Sequence, residues 1–334
     1  MRAFACGHCG ALVFFENTVC LRCDTPLRFD PERLALVTMD QGEPWIDCAN
    51  RGLAGCNWLA EREGALCRSC ELTRTRPSNS DAAGLEAFAV AERAKRRVLV
   101  QLLEFGLPGI RQGALAFDLL SSAQQAVTTG HADGVVTIDL AESDDVRREA
   151  RRRQLGEPYR TMLGHLRHEL GHYMQPLVVV GDEAWALCRG LFGDDRSDYE
   201  AALERHYTEG PPADWQERHV SAYAAMHPWE DWAETFAHYL HITDTLETAR
   251  EFGVLMQTPR ALGTESAHRP VPPTNPSEGA FAQVLAGWLP LSYALNAINR
   301  SMGRDDLYPF TLAPAVVDKL SFVHRCVLNA GHAP

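Results

Sequence analysis

Eight of the ten cysteines lie before residue 71, and that crowding constrains the fold more than any other feature of the chain. A segment so short buries too little apolar surface to fold unaided, so its cysteines must staple it. Disulfides would serve in an exported chain. The opening residues Met1-Arg2-Ala3-Phe4-Ala5-Cys6 hold no apolar signal core, however, and C-x-x-C pairs are spaced for metal. Cys6-x-x-Cys9 and Cys20-x-x-Cys23 allow two short turns to set four thiolates at tetrahedral corners. A zinc ribbon is expected there, with Gly7 and Gly10 easing the first turn and His8 a spectator. Cys48, Cys56, Cys67 and Cys70 remain. Only the last pair has this knuckle spacing, yet four further thiols in one small module predict a second four-cysteine zinc site.

Charge narrows the partners. Lys+Arg is 32 against Asp+Glu 44, a net charge of −12, which counts against a nucleic-acid partner or an anionic membrane surface. Residues 1–80 hold 9 Arg, no Lys and 10 Asp+Glu, so the module lacks the basic patch of a nucleic-acid reader. Its expected role is to hold structure or to bind protein. No stretch reads as the ~18–20 apolar residues of a membrane span, and a soluble, cytoplasmic protein is expected.

Three regions follow along the chain. Residues 1–72 form the cysteine-rich module, and the polar, proline-bearing stretch 73–80 reads as a linker. Residues 81–334 form the main domain. Its upper part, 81–175, predicts a helix over 82–105 and strands over 115–120 and 134–140. A longer helix comes next, with charged residues 144–153 in front and Pro158 early in it. That helix is expected to end near Met174, before Pro176. The lower part, 176–334, predicts helices over 181–191, 197–208, 213–226, 229–242, 246–257, 279–302 and 314–328, with the longest break near 259–276. The fold class is α+β, mostly α, with a small sheet near the start of the main domain.

His168-Glu169-Leu170-Gly171-His172 is an H-E-x-x-H motif. Residues i and i+4 share a helix face, so His168 and His172 can bind one metal. Glu169, one position on, falls beside the open metal position, where a general base is needed. Tyr159, Met162, Leu163, Leu166, Leu170 and Tyr173 cluster on the opposite face, so the helix can pack on a core and line a cleft. Gly171 keeps it slim, and His165 reads as a surface histidine or a support to the ligands.

A catalytic zinc needs a third protein ligand, and the metzincin extension H-x-x-G-x-x-H is absent after His172. The best supply is the segment 227–241, where Glu230, Glu234, His238 and His241 share one helix face and apolar residues cover the rest. A buried acidic stripe needs partners, and a metal with its histidines would provide them. In Glu-x-x-x-Glu the first carboxylate can bind zinc and the second can hold the free N–H of a ligating histidine. Helix geometry alone permits either assignment. Tyr223, seven residues before Glu230, can donate to a developing oxyanion, or can be an ordinary core tyrosine.

HELGH followed by Tyr223, Glu230 and Glu234 resembles the gluzincin metallopeptidases. The tyrosine-to-glutamate spacing is similar to that of lethal-factor-type toxins and proline-specific clostridial endopeptidases. The whole chain resembles more closely a bacterial family of zinc-binding metallopeptidases with an N-terminal zinc ribbon. The matching segments are CGHCG with Cys20-x-x-Cys23; Cys56-Asn57-Trp58-Leu59 with Leu66-Cys67-Arg68-Ser69-Cys70; GHLRHELGHYM (164–174); LFGDDRSDY (191–199); and HPWEDWAETFAHYLHITDTLETA (227–249). The resemblance covers nearly the whole chain. It implies a zincin-like peptidase fold and a peptide or protein substrate. It also implies Glu230 as the metal ligand, with Glu234 supporting a histidine.

These readings converge on a zinc metallopeptidase with one catalytic and two structural zincs. His168, His172 and Glu230 are its expected metal ligands, Glu169 its base, Tyr223 its oxyanion donor and Glu234 its orienting carboxylate. Strand 134–140 is a candidate cleft edge for an extended peptide. A zinc-dependent binding or scaffold protein on the same fold is the competing class, and the intact Glu169 counts against it. A cysteine peptidase using Cys188 or Cys326 lacks any activating context.

Overall fold

A computed structural model describes residues 2–38, 45–108, 114–122, 127–143, 161–256, 269–270 and 281–331. The described residues up to Leu166 fall in one compact unit and those from Arg167 onward in a second.

The first unit opens with the cysteine module. Its two knuckles share one backbone pattern. Gly10 N–H donates to Cys6 O and Asp24 N–H to Cys20 O, while Cys6 N–H reaches Ala11 O and Cys20 N–H reaches Thr25 O, all at 2.8–2.9 Å. The residue after each pair turns left-handed, Gly10 at φ +69° and Asp24 at +58°, positions that glycine takes freely and aspartate tolerates. Sulfur neighbours stand 3.7 Å apart, Cys6 to Cys23 and Cys9 to Cys20. In the second quartet Cys56 lies 3.6 Å from Cys67 and 3.7 Å from Cys70. Zn–S bonds of ~2.3 Å at tetrahedral angles put sulfurs about 3.8 Å apart, so both quartets have the dimensions of a zinc tetrathiolate, and all eight thiols are free of disulfides. The module also has a small aromatic core, with Phe29 packed 4.9 Å from Phe15 and 5.2 Å from Trp58.

Helix Ala82–Glu104 starts where Asp81 accepts the Gly84 N–H at 2.8 Å. It buries Phe88, Ala91, Val98, Leu99 and Leu102. It also buries Glu92, which takes Lys95 Nζ at 2.6 Å and Thr73 Oγ1 at 2.5 Å and stands 3.7 Å from Cys70 Sγ. Arg96 donates to Ala54 O at 3.1 Å. The second quartet is therefore tied to this helix, and the stretch expected to be a linker begins as a strand. Thr73–Thr75 runs parallel to Ala116–Leu120, and Arg74 pairs with Asp118 across them.

The sheet order is Thr73–Thr75, Ala116–Leu120, Val135–Asp139, Gly130–Ala132. The last two strands form a hairpin whose turn, Asp133-Gly134, has φ +49° and +80°, as a two-residue turn matched to strand twist requires. Val135–Asp139 is thus flanked on both sides. The expectation that it offers a free edge to a peptide is corrected for Val135–Thr137, whose main-chain groups already pair with strands on both sides.

The second unit is helical: Met162–Val178 (from Arg167 on), Asp182–Phe192, Tyr199–Glu209, Pro228–Glu251, Phe281–Ser301 and Pro314–Gly331. Trp232, Phe236, Tyr239 and Leu240 of the long helix are fully buried, with Phe192 and Phe322 packed on Trp232 at 5.6 and 6.2 Å. Buried Asp231 accepts from Lys319 Nζ at 2.5 Å, an ion pair that fixes the facing of two helices. Two expected helices, 229–242 and 246–257, are one helix that ends at Glu251, and Leu255–Met256, expected to be helical, is a strand. Thr243 and Thr245 return their hydroxyls to the carbonyls of Tyr239 and His241 at 2.9 and 2.8 Å and so stay inside the helix. The expected helix 213–226 is only Trp215–Arg218 and a single turn at Tyr223–Ala225, because Ser221 Oγ captures the Ala224 N–H at 3.1 Å. The motif helix continues through Pro176 to Val178. Lying in the last turn, the proline interrupts little of the bonding. The expectations for 144–153 and Pro158 lie outside the described residues, and within the expected break 259–276 only Arg269–Pro270 is described, a strand paired antiparallel with Leu255–Met256. Phe281–Ser301 is long and apolar enough by composition to cross a membrane; its Asn296 is buried and bonds Tyr308 O at 2.8 Å.

Candidate active site

Two helices build the site. Gly171 on the motif helix faces Ala233 on Pro228–Glu251 so closely that a Cβ would stand 3.0 Å from Ala233 Cα and 3.3 Å from Phe236 Cβ. Trp232 Nε1 donates to Gly171 O at 2.9 Å. A hydrogen-bonded indole and a missing side chain thus bring the two backbones together where His168, His172 and Glu230 project. Met162, Leu166, Leu170 and Tyr173 are buried, as the apolar face requires, but His168, Glu169 and His172 are only 7, 5 and 4% exposed. The motif residues are therefore buried as well as the apolar face.

Glu230 Oε2 lies 3.0 Å from His168 Nε2 and 3.4 Å from His172 Nε2. Bonds of ~2.0–2.1 Å to a tetrahedral zinc place ligand atoms about 3.3 Å apart, so the spacing suits that ion. Glu234 stands on the other side of His168, with Oε1 2.7 Å from Nδ1, and its Oε2 accepts from Ser221 Oγ at 2.7 Å. A neutral His168 that donates Nδ1–H to Glu234 turns its Nε2 lone pair toward Glu230. Burial disfavours the His168 cation, yet the two carboxylates outweigh it and hold its pKa well above the ordinary imidazole value. Burial likewise works against both carboxylates, but their histidine partners hold Glu230 well below the usual carboxylate range and bring Glu234 down to about 2. The cluster's field therefore favours positive charge at its centre. Glu169 Oε2 is buried with no hydrogen-bond partner among the described residues, an unspent acceptor on the residue that follows His168.

Tyr223 is half-buried, its ring 6.0 Å from that of His168. Burial first, then the charge of Glu230, raises its pKa and keeps the phenol a donor. His238 and His241, placed on the Glu230 face by helix spacing, leave the cluster. His238 bonds the Tyr308 hydroxyl at 2.7 Å and His241 stacks on the same ring at 5.4 Å. Burial depresses them to about 4 and about 3, so they are neutral packing groups. Cys188 and Cys326 are buried thiols pushed up by burial to about 11 and about 12, the opposite of a nucleophile. Three groups were missed by the sequence reading. Ser221 holds Glu234, Trp229 lies against His172 with centroids 3.8 Å apart, and Tyr199 donates to Glu230 Oε1 at 2.9 Å.

Comparison with known families gives this geometry its context. A family model described as "Putative zinc-binding metallo-peptidase" matches residues 84–326. The chain belongs to that family. A zinc-ribbon domain model matches residues 3–81 in front of it. The chain is also 49% identical over 335 residues to uncharacterized proteins of Mycobacterium bovis and of two strains of Mycobacterium tuberculosis, CDC 1551 / Oshkosh and ATCC 25618 / H37Rv. The match spans 98% of this chain and 95% of each relative. No solved structure matches it. For this member of a zinc-binding family, the described residues offer three groups able to hold a metal: Cys6, Cys9, Cys20 and Cys23; Cys48, Cys56, Cys67 and Cys70; and His168, His172 and Glu230.

Proposed function

We propose that the chain is a zinc-dependent peptidase whose reaction centre is the cluster of His168, His172 and Glu230, with two structural zincs in the cysteine module. The observation that carries this is the convergence of His168 Nε2, His172 Nε2 and Glu230 Oε2, with Glu169, the residue after His168, buried and its Oε2 unpartnered among the described residues. Bound zinc supplies a Lewis acid that polarises a peptide carbonyl and lowers the pKa of water toward ~7. Glu169 would serve as the general base, taking a proton from the attacking water and passing it to the leaving amine. Tyr223, kept protonated by its surroundings, donates to the oxygen that gains charge. Glu234, steadied by Ser221, holds His168 in the tautomer and orientation that binding needs. Cleavage of a peptide that appears with zinc, stops with a chelator and returns on zinc addition tests the proposal. Zinc-loaded protein that turns over nothing contradicts it.

The metal count is expected to be three zincs per chain. Under mild chelation the His168–His172–Glu230 site should empty first, because it keeps an open position, whereas the cysteine sites are closed and four-coordinate. Elemental analysis of gently purified protein checks this. A single metal per chain, with the eight N-terminal cysteines in disulfides, is the opposing result.

A further inference from the structure

The segment Leu191-Phe192-Gly193-Asp194-Asp195-Arg196-Ser197-Asp198-Tyr199 is fastened to the start of helix Pro228–Glu251 at successive points. Gly193 has φ +100° and lies so near Pro228 that a Cβ would meet its Cγ at 3.0 Å. His227, the residue that caps the helix, accepts the Trp229 N–H on Nδ1 at 3.1 Å. Its Nε2–H is left to donate, and Ser197 supplies acceptors on both sides, the hydroxyl at 2.9 Å and the carbonyl at 3.1 Å. Asp195 holds Arg189 of the preceding helix at 2.7 Å, and within the segment Asp194 holds Arg196 at 2.8 Å. Two residues beyond Ser197, Tyr199 begins its own helix, capped by Asp198 through the Ala201 N–H at 3.0 Å. Its ring packs edge-on against His227 at 5.3 Å and Trp229 at 5.9 Å, and its hydroxyl donates to Glu230 Oε1 at 2.9 Å.

The two oxygens of Glu230 thus have separate partners. Oε2 faces the two imidazoles, and Oε1 is held by Tyr199. A carboxylate free to rotate can offer a metal either oxygen or both. We infer that Tyr199 is a positioning residue for the metal: by holding Oε1 back it presents Oε2 as a single ligand oxygen, and segment 191–199 with its His227 clamp holds that hydroxyl in place. Single-oxygen ligation keeps the coordination number low, which preserves an open position for water. Partners of this kind beyond the ligands commonly set metal affinity. The inference rests on the reading of the cluster as a zinc site.

The test uses the full-length protein with all three sites followed by competition against a chromophoric chelator. Tyr199→Phe removes only the hydroxyl. Zinc affinity at the His168–His172–Glu230 site should fall ~10–100-fold, with the two cysteine sites unchanged. The visible spectrum of cobalt(II) placed in that site should also change as its ligand set changes. A merely structural tyrosine would instead lower the melting midpoint of protein stripped of this metal and leave affinity and spectrum alone. Parental affinity together with a parental cobalt spectrum in Tyr199→Phe overturns the inference while the zinc reading stands. Failure of the parent protein itself to take up a third metal overturns both. Should Tyr199→Phe not fold, His227→Asn carries the test. Asparagine still caps a helix but is too short to reach Ser197, so zinc affinity should fall in the same direction by a smaller factor; unchanged affinity there counts against the inference.

Discussion

Replacing Glu230 by alanine is expected to empty the His168–His172–Glu230 site, with zinc retained only by the two cysteine quartets. Glu230 Oε2 lies 3.0 and 3.4 Å from the two imidazole Nε2 atoms, and without it two histidines remain where zinc needs three ligands. Glu234→Ala is expected to do less. Glu234 touches His168 at Nδ1, on the far side of the ring from the metal position, so its loss frees the ring to turn without deleting a ligand. A ~10–100-fold loss of affinity or activity is the scale for such a partner. Zinc content after equilibrium dialysis separates the two: about two zincs per chain for Glu230→Ala, and three at saturating zinc for Glu234→Ala. A zinc-bound structure with a Glu234 oxygen at ~2.0–2.2 Å from the metal, and Glu230 turned away, reverses the assignment.

Glu169→Gln is expected to lower turnover by ~10²–10⁴-fold, the range for a positioned general base, while all three zincs stay bound. Glutamine keeps the length and shape of the side chain and gives up the charge that accepts the proton. Because Glu169 Oε2 has no partner among the described residues, the substitution breaks no hydrogen bond made by that oxygen. A glutamine variant that cleaves a peptide at the parent rate removes Glu169 from the mechanism.

Local spacing carried much of the site into the sequence. The i, i+4 histidines, the Glu-x-x-x-Glu turn and the paired C-x-x-C knuckles each place their groups within one or two turns of chain, and the structure brings those groups together. What escaped lies in loops or spans long separations. Ser221 reaches Glu234 from an irregular turn 13 residues away, and Tyr199 reaches Glu230 across 31; no periodicity links either pair. Element boundaries failed for chemical reasons that composition does not reveal. Threonine hydroxyls that bond back to their own helix joined two segments read as separate, and a serine that captured a backbone N–H broke one read as continuous. The central place of Val135–Asp139 depended on a partner strand supplied by its own hairpin, Gly130–Ala132, a segment the hydrophobic pattern does not mark.

The central claim is peptide hydrolysis at the His168–His172–Glu230 site, and cleavage of a diverse peptide library by fully zinc-loaded protein, read by mass spectrometry, tests it most directly. New peptide termini are expected, vanishing when mild chelation removes that zinc and returning when zinc is restored. Intact peptides throughout, with metal analysis showing all three sites filled, would contradict it.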